Sequence, residues 1–182
     1  MELIKELPAL GRDLGPGLIL IGLTSLAAIL VGCLFEEWET LPWMATATVS
    51  LCGIGLLLRF LPKTSKVPRT STSIAATALV WVIVGLCGSL PFLFTGMPFI
   101  DAAFESMSAW TGTGFSIAED IEAWPKTLLF WRSFMQWVGG LGIVAFTLTV
   151  ATRSGLITRG MYTSESGGQA FMPSVIATAF QM

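Results

Sequence analysis

A chain of 182 residues that is 53% hydrophobic and only 12% charged, with mean hydropathy +0.75, reads as an integral membrane protein, because soluble domains carry about 25% charged residues. The net charge of −2 comes with no basic patch that would take nucleic acid. Histidine is absent, which removes His-based metal sites, Ser–His and Cys–His nucleophile pairs and His proton shuttles.

Residues 1–15 form a short, mixed-charge lead-in with no sign of a cleavable leader. Residues 17–35 make the first apolar span, with Thr24 and Ser25 as its polar members. An acidic turn with Glu36, Glu37 and Glu39 follows, ahead of Pro42. The second span covers 43–61 and stops at Pro62. A loop over 63–73 then carries Lys63, Lys66 and Arg69 just after Arg59. The third span covers 74–94, and Pro91 near its end predicts a kink or stop. A second acidic loop holds Glu119, Asp120 and Glu122 before the fourth span at 125–150. Cys33, Cys52 and Cys87 lie inside apolar runs with no CxxC spacing, so they read as packing residues.

Basic residues set the orientation. Lys5 and Arg12 precede span one, the Arg59 to Arg69 group follows span two, and Arg153 and Arg159 follow span four. The opposite face carries Lys126 and Arg132 at the start of span four. Both termini are expected to be cytoplasmic, in the cell membrane.

Between spans three and four lies IDAAFESMSAWTGTGFS, residues 100–116. Asp101 is a fair N-cap, and Phe104, Met107 and Ser108 recur at helical spacing. Residues 101–111 as a helix would reach only about 16 Å, roughly half of a bilayer core of about 30 Å. A helix that ends inside the membrane leaves its last carbonyls to be satisfied by protein or by a water-filled cavity. Thr111, Gly112, Thr113 and Gly114 begin there. Glycines let successive carbonyls turn one way, as in filters that replace a cation's hydration shell, and the negative helix end favours a cation. The expectation is a helix–pore loop–helix unit whose loop enters from outside.

Glu105 on the short helix and Arg132 in span four are intramembrane charges, which are costly and normally paired or functional. We expect them to pair and hold the short helix against span four, with Gln136 one turn on reaching the loop backbone. Gly139, Gly140 and Gly142 read as a close-packing or hinge site, and Gly85 and Gly88 could face the same neighbour. Trp38, Trp43, Trp124, Trp131 and Trp137 read mostly as interface-belt residues. A serine hydrolase built on Ser108 or Ser116 lacks both histidine and a nearby lysine base. The chain is therefore expected not to be an enzyme.

The run FESMSAWTGTGFS, the earlier LPF, the later LLFWRSFMQWVGGLGI and the tail GMYTSESGG together resemble the Trk/Ktr/HKT superfamily of potassium transporters, the Trk-type membrane subunit above all. The resemblance covers nearly the whole chain. It implies an all-α polytopic membrane protein of four transmembrane helices plus one half-crossing pore helix and filter loop, one of four repeats around a channel-like pore. It divides the chain into an amino-terminal helix pair (1–70), a first helix–pore loop–helix repeat (71–153) and a cytoplasmic linker toward a second repeat (154–182). The filter glycine maps to Gly114, whose carbonyl is expected to point at the potassium ion together with the pore-lining carbonyls of Thr111, Gly112 and Thr113 before it. Filters of this type usually read TTTG, so Gly112 stands in place of a Thr. In plant members, Ser at the Gly114 position accompanies sodium preference.

The function so implied is potassium uptake, with potassium as substrate and no cofactor. Partners would be three further repeats or other copies of the chain, membrane lipid and a cytosolic nucleotide-binding regulatory subunit. Only one repeat is present in this sequence, as expected of a fragment of a longer chain, a split-gene subunit or a degenerate product. The rival reading is a non-conducting membrane assembly or regulatory fragment.

Overall fold

A computed structural model describes residues 2–61 and 70–153. The basic loop at Lys63, Lys66 and Arg69 and the expected linker at 154–182 lie outside the described residues. All regular elements among the described residues are helical: α1 (Glu2–Thr24), α2 (Leu26–Leu34), α3 (Leu41–Arg59), α4 (Thr70–Ser89), a 3₁₀ segment (Leu90–Thr95), α5 (Phe99–Trp110) and α6 (Lys126–Arg153). Among the described residues, three stretches are long and apolar enough to cross a membrane: Leu14–Leu34, Leu41–Arg59 and Ile74–Thr95. The 28 residues of α6 would reach about 42 Å. Its sequence carries no charge between Arg132 and Arg153.

The first span is not one helix. It breaks at Ser25, whose hydroxyl donates to the Gly22 carbonyl at 2.6 Å and lies 2.6 Å from the Thr48 hydroxyl. A serine hydroxyl has one proton, so Thr48 supplies the second bond. This buried polar link ties the break to α3. Nearer the chain start, α1 and α3 approach backbone to backbone: a Cβ on Gly15 would lie 2.6 Å from the Gly55 carbonyl, and one on Gly55 2.7 Å from the Gly15 carbonyl. Small residues allow such approach where apolar surface alone cannot drive helices together in lipid. Arg12 Nη1 donates to the Leu61 carbonyl at 3.2 Å, placing positive charge at the carboxyl end of α3, where the helix dipole favours it.

The Pro91 expectation resolves as a stop. The α-helix ends at Ser89 and the chain tightens into the 3₁₀ segment with Pro91 near its start. Phe92 is fully buried there, 5.4 Å from the Trp124 ring. The short helix begins at Phe99 with Pro98 as its N-cap. Asp101 is therefore not the cap; it lies in the first turn, where a carboxylate still complements the dipole.

The connection between α2 and α3 meets the start of α6. Glu36 adopts φ 58°, rare for a residue with a side chain. The following Glu37 accepts from the amide of Lys126 at 2.7 Å, the amide of Thr127 at 2.8 Å and the Thr127 hydroxyl at 2.6 Å. It thus caps α6 with a carboxylate supplied from another part of the chain. Partial burial pushes the Glu37 carboxyl up, but the Thr127 hydroxyl and amide, the Lys126 amide and the Lys126 charge outweigh it and hold the group below its ordinary value.

Two tryptophans expected at the interface are in the core. Trp131 is fully buried and Trp124 nearly so, whereas Trp38, Trp43 and Trp137 are exposed. Trp131 donates its indole N–H to the Gly88 carbonyl at 3.1 Å and meets Trp110 edge-to-face at 6.2 Å. Large rings close the space between α4, α5 and α6. The three cysteines are free thiols; Cys87 is buried, Cys52 is half-buried and Cys33 is exposed, so Cys33 is not a packing residue within this chain.

Candidate functional site: the loop at the end of the short helix

The short helix α5 has 12 residues, about 18 Å. It is held on both sides by glycines. On the α4 side, a Cβ at Gly85 would collide with the Met107 sulfur. One at Gly88 would lie 2.7 Å from Trp110 Nε1, 2.8 Å from Ser106 Oγ and 3.1 Å from Met135 Sδ. On the α6 side, a Cβ at Gly139 would collide with the Trp110 carbonyl. Gly140 has open space, and Gly142 would make ordinary contact with Trp81 at 3.6 Å. Of the three α6 glycines, then, Gly139 is the one in close backbone contact, and Gly85 and Gly88 face α5. Packing is tight enough to strand a donor: Trp110 Nε1 is buried with no hydrogen-bond partner among the described residues.

The loop leaves α5 at Thr111. Gly112 and Gly114 take φ 70° and 78°, dihedrals that cost a residue with a Cβ about 1 kcal/mol or more. Gly112 N–H closes onto the Ala109 carbonyl at 3.0 Å and Gly114 N–H onto the Ser108 carbonyl at 3.2 Å. The Thr111 hydroxyl donates to the Met107 carbonyl at 2.8 Å and lies 2.8 Å from the Thr113 hydroxyl. Thr111, Gly112 and Thr113 are exposed, and their carbonyls accept no hydrogen bond among the described residues.

Glu105 and Arg132 are brought together. Glu105 is fully buried, and its Oε2 accepts from Arg132 Nε at 3.1 Å. Its other oxygen accepts from the Ile117 amide at 2.7 Å and from the Ser116 hydroxyl. The buried carboxylate is thus met by a charge and by two dipoles, the condition for keeping an ion in the interior. Arg132 then reaches further than expected: Nη2 donates to the Gly114 carbonyl at 2.9 Å and to the Phe115 carbonyl at 3.2 Å. This corrects one expectation. The Gly114 carbonyl does not stand free beside those before it; it is turned onto Arg132. Gln136 Nε2 lies 2.8 Å from where a Gly114 Cβ would sit; this is the tip of a flexible side chain, so the positive φ is the firmer constraint at Gly114.

Sequence reasoning missed Ser108, Ser116 and Ile117 as loop anchors. The Ser108 hydroxyl donates to the Phe115 carbonyl at 2.6 Å. The Ser116 hydroxyl is committed to Glu105 and also accepts from the Ala118 amide at 3.1 Å. Both hydroxyls considered as nucleophiles are therefore structural. The chain that follows the loop, from Ile117 to Asp120, lines with Asp101 in the first turn of α5 a cavity of about 330 Å³.

Comparisons with known proteins agree with this architecture. Residues 43–170 match the TrkH family, described as a cation transport protein. The chain is 35% identical over 177 residues to an uncharacterized cation transporter of Methanocaldococcus jannaschii, covering 96% of this chain and 37% of that protein. It is 34% identical to the Trk system potassium uptake protein TrkH of Halomonas elongata, covering 86% of this chain and 33% of that one. The crystal structure of the potassium transporter TrkH from Vibrio parahaemolyticus superposes with a TM-score of 0.72 at 30% identity, over 79% of this chain and 31% of that chain. The chain thus spans about a third of the length of these relatives. An all-helical membrane protein whose family match runs from the second span through the loop to residue 170, this chain belongs to the TrkH family of cation transport proteins.

Proposed function

We propose that the chain contributes one quarter of a potassium-conducting pore in the cell membrane, with both termini cytoplasmic. Residues 1–70 act as the amino-terminal helix pair, 71–153 as the first helix–pore loop–helix repeat and 154–182 as a cytoplasmic linker. The backbone carbonyls of Thr111, Gly112 and Thr113 line the ion path. Gly114 supplies the turn, and Glu105, Arg132 and Gln136 support it. Potassium is the substrate; the proposal invokes no cofactor and no catalysed reaction. The remaining wall comes from three further repeats or other copies of the chain, and a cytosolic nucleotide-binding subunit regulates it.

One observation carries this reading. Three consecutive exposed residues, whose carbonyls accept no hydrogen bond among the described residues, follow directly on the carboxyl end of a short helix. In a membrane such groups are tolerable only where they face protein or a water-filled path. A stripped potassium ion is the partner they suit, since carbonyl oxygens replace its water and the helix end adds negative potential. Pairing with Glu105 keeps the Arg132 charge from standing alone beside the loop. Asp101, Glu119 and Asp120 around that cavity would raise the local cation concentration.

The test is Gly114→Ser in the assembled transporter, with rubidium and sodium uptake normalised to protein in the membrane. The rubidium-to-sodium ratio should fall while membrane insertion is kept. An unchanged ratio would replace the filter by a non-conducting assembly or regulatory module.

A further inference from the structure

We propose that Ser108 is the positioning residue that sets the direction of the filter carbonyls, an inference that rests on the filter reading above. Ser108 lies in the last turn of α5 and is only 6% exposed. It holds the two peptide groups that flank the Gly114–Phe115 peptide in the loop's return: its carbonyl takes the Gly114 N–H at 3.2 Å and its hydroxyl donates to the Phe115 carbonyl at 2.6 Å. The Phe115 carbonyl also accepts from Arg132 at 3.2 Å, and Arg132 holds the Gly114 carbonyl at 2.9 Å. The return is therefore held between two anchors, Ser108 on α5 and Arg132 on α6.

The segment between these anchors cannot position itself. Gly112 and Gly114 both take left-handed dihedrals, and glycine has little preference of its own among the available wells. The Thr111 and Thr113 hydroxyls bond to one another, and that of Thr111 also donates to the Met107 carbonyl. That fixes the start of the segment and leaves its end to the peptide groups at 114 and 115. Without the Ser108 hydroxyl, the Phe115 carbonyl keeps only Arg132, and the return is drawn toward α6. The carbonyls of Gly112 and Thr113 would rotate with it. Ion selectivity depends on the number and aim of such dipoles, so the loss should appear in selectivity before it appears in folding.

The experiment uses the assembled transporter in cells lacking other potassium uptake, with rubidium and sodium uptake normalised to membrane level. Ser108→Ala should lower the rubidium-to-sodium ratio roughly fivefold, the factor that one net hydrogen bond is worth. Ser108→Thr keeps the hydroxyl and should restore most of the ratio. Ser106→Ala is the comparison: Ser106 is also buried on the same helix, but its hydroxyl points to Met135 Sδ at 3.8 Å and not to the loop, and its ratio should stay at the wild-type value. If Ser108→Ala gives no uptake, the ratio is read in Ser108→Cys, whose weaker donor should shift it in the same direction by less. A wild-type ratio in the variant read overturns the assignment, as does an equal fall in Ser106→Ala. Gly114→Ser, run in parallel, separates the two claims. If it shifts the ratio and the Ser108 variants do not, only the role of Ser108 fails; if it does not, the filter reading itself fails.

Discussion

Glu37 takes both the amide and the hydroxyl of Thr127, at 2.8 and 2.6 Å, across 90 positions of chain. One carboxylate joins the turn after the first span to the first turn of the last helix. Because the hydrogen bonds outweigh burial, its carboxyl lies below the ordinary glutamate value of 4.5. A lowered value fixes the sign. The contribution is fully present above about pH 4.5 and is lost as pH falls through the folded value. The purified protein should therefore lose thermal stability on acidification below that point, and Glu37→Gln should flatten this step. At neutral pH the substitution should cost about 1 kcal/mol, as for other lost helix caps, with solvent screening of the half-exposed group keeping it near that figure. An undiminished acid step in the variant would count against the cap.

The pair formed by Glu105 and Arg132 predicts an asymmetry. Breaking a buried ion pair costs roughly 3–5 kcal/mol, so Glu105→Gln and Arg132→Gln should both lower the melting temperature. Glu105→Gln, however, leaves an uncompensated positive charge whose Nη2 is 2.9 Å from the Gly114 carbonyl. It should suppress cation uptake per folded molecule more strongly than Arg132→Gln does. The double variant should be milder than the sum of the two, because neighbouring groups in one network are not additive. Strict additivity in both stability and uptake would sink the coupling.

Much of this arrangement is legible from residue type. The apolar runs, the proline stop at Pro91 and the isolated charges at Glu105 and Arg132 are local signals, and two lone opposite charges in a membrane have few other partners. The Glu37 contact is not legible. Glu36, Glu37 and Glu39 look alike in sequence, and only the left-handed turn at Glu36 aims the next side chain at α6. Likewise, nothing local distinguishes the Gly114 carbonyl from the three before it. Its engagement depends on how far the Arg132 side chain reaches past Glu105. Trp131 misleads for a related reason. Aromatics near a helix start suit an interface, and its burial follows from a distant acceptor, the Gly88 carbonyl.

Adjacent glycines in α6 should respond in opposite directions. A Cβ at Gly139 collides with the backbone of Trp110, which cannot yield as a side-chain tip would. Gly139→Ala should destabilise by roughly 1–3 kcal/mol, as overpacked sites do. A Cβ at Gly140 meets nothing within 4 Å, so Gly140→Ala should be neutral or stabilise by up to about 1 kcal/mol through helix propensity. Thermal unfolding in detergent separates the two; equal effects would remove the packing argument.

Orientation is checked with single cysteines at Glu39 and Ser65 in a version with the native cysteines replaced. An impermeant maleimide should label position 39 in intact cells and position 65 only after lysis. The reverse pattern would invert the proposed topology.

The contact between Gly139 and the Trp110 carbonyl has a mechanical consequence. At that level α6 cannot roll or slide without carrying the last turn of α5, and with it the loop. Immediately beyond, Gly140 has free space and Gly142 only ordinary contact, and glycine-rich positions are where helices bend. The half of α6 running toward Arg153 is free of that lock, so a bend just past Gly139 would leave the loop where α5 holds it.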